Sequence, residues 1–184
     1  MKTRHGGCRG LTLIELLAVL AVLAVLQKVG APAMSSAIDS VRLRSASQAL
    51  FVSLQLSRSE AIKRASRVVM CKSANGADCT RSGGWEQGWI VFHDHNNNAR
   101  VDAGEAVLQR EQGLAGAVRL SGNSAVESYV SYTALGHTST TGGGLQMGTL
   151  TVCQPAATRT SARQIVISAS GRARTQKVTL EQCP

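Results

Sequence analysis

Between residues 9 and 26 the chain reads RGLTLIELLAVLAVLAVL, an apolar run carrying a single carboxylate, Glu15. Glu15 stands five residues after Gly10, and the cations Lys2, Arg4 and Arg9 precede the run. A segment this apolar has three ordinary destinations: a cleaved secretory signal, a membrane anchor, or a buried helix of a soluble domain. Ala31-Pro32-Ala33 supplies the small-x-small site that the first requires. The second is short, because residues 11–26 fall below the ~20 residues of an ordinary span. Neither membrane-bound destination explains Glu15, since an acidic side chain costs ~2.5 kcal/mol or more at mid-membrane, though less near an interface. The charge needs a partner.

Gly10, Thr12, Leu13, Ile14 and Glu15 together resemble the class III signal of type IV prepilins. That resemblance implies cleavage by a prepilin peptidase between Gly10 and Leu11, methylation of the new N-terminus, and Glu15 as the fifth mature residue. It also implies a partner for the carboxylate: the N-terminal amine of a neighbouring subunit in a filament. Leu11 departs from the phenylalanine usual at that position but stays apolar. The expected organisation is a leader over residues 1–10 and an apolar transmembrane or filament-core helix over 11–34. An amphipathic helix and an antiparallel β domain would follow over 35–184. The implied location is the inner membrane, single-pass with the domain in the periplasm, and then a pilus or pseudopilus.

Charge and cysteines bound the remainder. The formal charge is +9, and losing three cations with the leader brings it to +6. That excess favours an anionic partner such as nucleic acid or a lipid surface. Aromatic residues make up only 3% of the chain, which argues against a stacking platform for single-stranded bases. Cys8 lies in the leader, leaving Cys71, Cys79, Cys153 and Cys183 for an exported protein. Four cysteines allow three pairings and sequence alone does not choose, although spacing favours Cys71 with Cys79 and Cys153 with Cys183. No CxxC occurs and no histidine stands at ligand spacing from a cysteine, so structural disulfides are expected rather than a metal site.

Past the anchor, Gly30 and Pro32 are expected to weaken or bend the helix. Leu43, Ala46, Leu50, Leu54 and Ala61 then recur at helical spacing, with Arg42, Arg44, Arg58, Glu60, Lys63 and Arg64 on the other side. This predicts an amphipathic helix reaching about residue 67, with Glu60 and Arg64 as an i,i+4 pair. From Val68 the period shortens to that of strands. Apolar runs fall at 68–70, 89–92, 106–108, 118–120, 129–135, 150–152 and 165–167, punctuated by Gly, Ser and Thr. Residues 138–144 read as a mobile hairpin. One long helix followed by grouped strands predicts an α+β fold with antiparallel sheet over one helix face.

SRSEAIKR at 57–64 and GWIVFHDHNNNARVDAGEAVL at 88–108, taken with the leader, resemble the GspH/FimT family of minor pilins and pseudopilins. The implied fold is the type IV pilin fold. Inside the second motif, Asp94, Asn96, Asn98, Asp102 and Glu105 meet positions 1, 3, 5, 9 and 12 of an EF-hand loop. Ala99 stands where that loop needs glycine, so a polar turn bonded to its own backbone is expected instead of a calcium site. His93 and His95 alternate on a strand but have no evident third ligand. No nucleophile motif or phosphate-binding loop appears, so neither catalysis, nor a cofactor, nor a resident metal is expected.

The C-terminal region carries the remaining signal. Arg163 precedes the apolar run 165–167, Ser170-Gly171 forms a turn, and Arg172, Arg174 and Lys177 follow, with no acidic residue between Glu127 and Glu181. On an extended chain Arg172 and Arg174 face the same way, about 6.5–7 Å apart, an interval suited to adjacent phosphates of one strand. GRAR, at 171–174, resembles the GRxR signature of DNA-binding FimT-type minor pilins. The structural alternative is an edge strand protected by charge. The resemblance and the basic hairpin together imply a minor type IV pilin that binds double-stranded DNA and supports DNA uptake and pilus assembly, with other pilins as partners. The alternative is a minor pseudopilin of type II secretion without a nucleic-acid role. A third possibility is a filament initiator with no ligand.

Overall fold

The computed structural model describes residues 12–114, 116, 118–155 and 159–184, with only the backbone given at 27 and 29–33. Helix α1 (Leu13–Arg64) contributes to two compact units, Met1–Ser40 and Val41–Pro184.

At its start, Thr12 and Glu15 form a reciprocal cap. The Thr12 hydroxyl accepts from the Glu15 amide (3.4 Å), and the Glu15 carboxylate accepts from the Thr12 amide and hydroxyl (both 3.2 Å). This T-x-x-E box satisfies two otherwise unpaired groups and sets a negative charge at the positive end of the helix. The apolar side chains from Leu13 to Leu26 are exposed. Among the described residues no helix is long and apolar enough to cross a membrane. The cleavage residues Gly10 and Leu11 lie outside the described residues. The helix runs through Gly30 and Pro32 without interruption. Proline removes only one donor from the ladder, and the turns on either side keep theirs.

In the second unit α1 buries the expected face, with Leu50, Leu54 and Ala61 fully enclosed. Glu60 pairs with Arg64 (2.7 Å) and Lys63 (3.4 Å) on the opposite side. The Arg64 hydrogen bond, helped by Lys63, holds the Glu60 carboxyl below its ordinary value. The helix stops at Arg64, three residues earlier than the periodicity suggested. Ala65 turns to φ +48°, Ser66 N–H bonds to Ala61 O and Ala65 N–H to Ile62 O (both 3.2 Å), a Schellman closure built without glycine.

Eight strands follow: β1 (Val68–Lys72), β2 (Gly88–His93), β3 (Val107–Gln112), β4 (Arg119–Gly122), β5 (Tyr129–Tyr132), β6 (Gly148–Cys153), β7 (Thr160–Ile167) and β8 (Ala173–Leu180). They form two four-stranded antiparallel sheets, ordered β3-β2-β1-β5 and β4-β6-β7-β8. Strand alternation sends Val68, Met70, Trp89 and Val91 into a main core shared with α1, Leu150, Val152, Ile165 and Ile167. Val69, Cys71, Ile90 and Phe92 point to the other face, where they pack with Val101, Val107 and Tyr129. Burial on both faces explains why β2 reads as a continuous apolar run. Two indole N–H groups are placed in this interior with partners: Trp89 donates to the Ser53 hydroxyl (2.9 Å) and Trp85 to Val126 O (3.2 Å).

Disulfides join Cys71 to Cys79 and Cys153 to Cys183, with Cα separations of 5.6 and 5.8 Å. The expected hairpin over 138–144 is tied at its base. Thr138 and Ser139 are buried, and the Thr138 hydroxyl bonds to the carbonyls of Gln146 and Ser168. Only the tip, from Thr141, is exposed.

Candidate nucleic-acid interface

Strand β8 is the outer edge of the second sheet and pairs along its whole length with β7, in a register that sets Lys177 opposite Arg163 and Arg174 opposite Val166. The turn joining them is closed by Gly171 N–H to Ser168 O (2.9 Å) and Ser168 N–H to Arg172 O (3.0 Å). Gly171 has φ +76°, and a Cβ there would stand 2.0 Å from Gly136 O. No other residue fits that position, which accounts for the glycine that opens GRAR. Thr138 N–H donates to Ala169 O (3.2 Å), so the turn is docked on a fixed neighbour.

Arg172, Arg174 and Lys177 are exposed, and Arg163 is half-buried. The structure does not gather these four cations on one face. Arg172 and Arg174 are two residues apart and share a side with the Gln164–Gln176 amide pair (2.9 Å). Lys177, three residues beyond Arg174, projects from the opposite side together with Arg163. Arg159, part of the same basic stretch in sequence, is bonded to Glu181 (2.6 Å) and is not free. What remains is an edge strand with cations directed to both sides of it.

The other candidate sites are placed as follows. In the Asp/Asn loop, buried Asp94 accepts from the amides of Asn98 (3.2 Å) and Ala99 (3.1 Å), while Asp102 accepts from the side chains of Asn96 (2.8 Å) and Asn98 (2.6 Å). Those two amide bonds lower the Asp102 pKa. Glu105 accepts from the amides of His95 (2.8 Å) and Asp102 (3.0 Å). Ala99, expected to stand poorly where an EF-hand loop needs glycine, nevertheless takes that residue's positive φ, +54°, with its amide donating to Asp94. Among the described residues no group of three or more His, Cys, Asp or Glu side chains could hold a metal ion. The His93 and His95 rings lie 3.9 Å apart, and desolvation, reinforced by the charges of His95 and Arg64, lowers the His93 pKa.

A long amphipathic helix packed on antiparallel sheets, behind an N-terminal segment with a capped carboxylate, defines a type IV pilin-like protein. The sequence profile described as "Type II transport protein GspH" matches residues 46–171, and a prokaryotic N-terminal methylation motif matches residues 6–26. The chain therefore belongs to the GspH/FimT family of pilin-like proteins. Two crystal forms of the type IV minor pilin FimU from Pseudomonas aeruginosa share the fold at 22% identity. Their TM-scores are 0.56 and 0.54, over 77% of this chain and 95% and 100% of theirs. No curated protein sequence matches the chain. Membership implies prepilin processing, assembly with other pilins and a structural rather than enzymatic family role.

Proposed function

We propose that the chain is a minor type IV pilin that captures double-stranded DNA on the β7–β8 hairpin and supports pilus-mediated DNA uptake. On this reading the prepilin peptidase cuts between Gly10 and Leu11. The apolar segment that cleavage would leave at the N-terminus resides in the inner membrane before assembly, and Glu15 joins its capping role to pairing with a neighbour's N-terminus. The observation that carries the DNA assignment is the edge strand β8. With the turn that precedes it, it presents Arg172, Arg174 and Lys177 to solvent with no ion pair to any of them among the described residues. Forked guanidiniums on an accessible edge suit phosphate oxygens, and nothing among the described residues of the hairpin resembles a helix offered to a groove, so binding is electrostatic and indifferent to sequence.

Fluorescence anisotropy of a labelled duplex, with the full chain in detergent, tests this. Binding should weaken with salt, tolerate scrambling of the duplex, and fall sharply in the Arg172→Gln/Arg174→Gln double variant. Salt-independent or absent binding sinks the assignment. A second reading, a minor pseudopilin of type II secretion, is favoured by the family description itself. A deletion strain separates the two: loss of transformation with intact secretion supports the first, and the converse supports the second.

A further inference from the structure

We infer that the cleft on the outer face of the first sheet, between the Cys71–Cys79 loop and the Asp/Asn loop, binds an acidic sugar residue, a ring bearing a carboxylate or a phosphate.

The cleft has a volume of about 650 Å³, within the roughly 300–1,000 Å³ of small-molecule sites. Its floor is short and apolar, made by the Cys71–Cys79 disulfide, Val101 and Tyr129. Strand alternation puts Cys71 and Tyr129 on the face turned away from the main core, so the cleft is separate from the β7–β8 edge and does not depend on DNA binding. The enclosing loops are braced against one another. Asn97 donates to Thr141 O (3.1 Å) and Thr141 N–H donates to the Tyr129 hydroxyl (3.1 Å).

Two exposed guanidiniums, Arg81 and Arg100, stand on the lining, and neither makes an ion pair among the described residues. Two acids, Asp78 on the same lining and Asp102 near Arg100, are held by amides instead. Asp78 accepts from Asn75 (3.2 Å), and Asp102, which feels the Arg100 charge, is bonded by Asn96 and Asn98. Two forks without carboxylate ion pairs on the lining of one cleft call for an oxyanion.

The rest of the lining selects the body that carries it. Thr80, Asn98, Ser128 and Thr141 supply hydroxyl and amide groups around the small apolar floor. That pattern matches a ring with hydroxyls at its edge and C–H groups on its face. A lipid chain would need a longer apolar surface. A nucleotide would need an open aromatic face, and Tyr129, the sole aromatic among the lining residues, is half-buried with its hydroxyl tied to the Thr141 loop.

Saturation-transfer NMR and titration on the full chain, in a zwitterionic detergent without a sugar headgroup, test the inference. The probes are digalacturonic acid, glucose 6-phosphate, maltose, inorganic phosphate and AMP. Saturable binding of digalacturonic acid, glucose 6-phosphate or both is expected, with maltose and phosphate at least about tenfold weaker, equivalent to the loss of one charge-assisted contact. Binding of digalacturonic acid alone assigns a uronic acid as the source; binding of the sugar phosphate alone assigns a phosphorylated sugar. Arg81→Gln and Arg100→Gln should each weaken the bound probe about tenfold with unchanged melting temperature, while Arg119→Gln, an exposed arginine on β4, leaves it unchanged. No saturable binding overturns the inference, as does maltose or phosphate binding as tightly as the acidic sugars. AMP binding most tightly would make the cleft a nucleotide site, and either arginine variant binding like wild type would also refute it.

Discussion

If DNA lies across the edge of β8, cations on both faces of that strand must contribute. The geometry fixes how much. Arg172 and Arg174 project to one side and Lys177 to the other, while Arg163 sits half-buried on the inner strand. Three exposed cations at ~0.9 each give a slope of about 2.7 in log affinity against log salt. Affinity should therefore fall about 40-fold between 50 and 200 mM KCl. Arg172→Gln/Arg174→Gln leaves one exposed cation, a slope near 0.9 and only a ~3.5-fold fall over the same range. Lys177→Gln should give a slope near 1.8, and Arg163→Gln should change little. Arg42→Gln, on the helix, is the control and should leave the slope unchanged. Those at Arg42, Arg172, Arg174 and Lys177 are surface changes, worth no more than ~0.5 kcal/mol of stability. Anisotropy of a fluorescein-labelled 20-base-pair duplex against full-length protein reads the slopes directly. An unchanged slope in Lys177→Gln would mean that DNA docks on one face only. A large effect of Arg163→Gln would place the duplex over the sheet rather than along its edge.

In cells with the prepilin peptidase, mass spectrometry should find Leu11 as the mature start, and Gly10→Ala should retain the leader; a start at Met34 would indicate ordinary secretory cleavage. Gly171→Ala must place a Cβ against Gly136 O at positive φ, so it should destabilise the protein by at least ~2 kcal/mol; a melting temperature within 1 °C or so of wild type would refute the docked turn. Replacing Cys153 and Cys183 together with alanine opens a loop with a sequence separation of 30, and chemical denaturation should report a loss of about 3–4 kcal/mol on the loop-entropy model. Burial lowers the His93 pKa below its ordinary 6.5, so the unfolded chain binds the proton first and stability should decline as pH drops below that value. Thermal melts from pH 7.5 to 5 should show a shallower decline in His93→Gln; an unchanged pH profile would clear His93 of the effect.

The elements whose position follows from local burial were legible in the sequence. Leu43, Ala46, Leu50, Leu54 and Ala61 marked the buried helix face, and 89–92 marked the central strand, because each pattern reflects the surface that its own residues cover. Strand β8 was not marked as a full strand. ARTQKVTL has only Val178 and Leu180 as an apolar pair on one face, too short a pattern to mark a full strand, and its extension depends on pairing with β7. The division into two sheets was equally hidden, since β5 joins β1 across some sixty residues of intervening chain. The Thr12–Glu15 cap was readable as T-x-x-E, but the processing motif offered a different use for the same carboxylate. The separation of Arg174 from Lys177 follows from parity once both lie on one strand; without a known β8, the four cations looked like a single patch. At Ala99 a sound steric objection failed because the turn aims the amides of Asn98 and Ala99 at the Asp94 carboxylate, which accepts from both.

Charge on β8 has a structural use whether or not DNA binds, because an exposed eight-residue edge offers unpaired backbone groups to any other strand and cations discourage that. Protection alone, however, does not require one sign. One edge strand of the other sheet, β3, carries Arg110 beside Glu111, and Arg110 donates to Gly76 O (2.9 Å). Mixed signs of that kind discourage pairing while leaving little net field. On the β7–β8 hairpin the signs do not mix. From Glu127 to Glu181 no carboxylate intervenes, and the nearest one, Glu181, is spent on Arg159 at the far end. A single-sign edge attracts a polyanion from beyond contact distance and becomes weaker as salt screens it. Replacing Thr175, which is exposed between Arg174 and Lys177, with glutamate would keep the edge protected while cancelling part of that field. DNA affinity should drop about as much as in Lys177→Gln, with solubility unchanged. If affinity survived Thr175→Glu, the cations would be serving the edge and not a ligand.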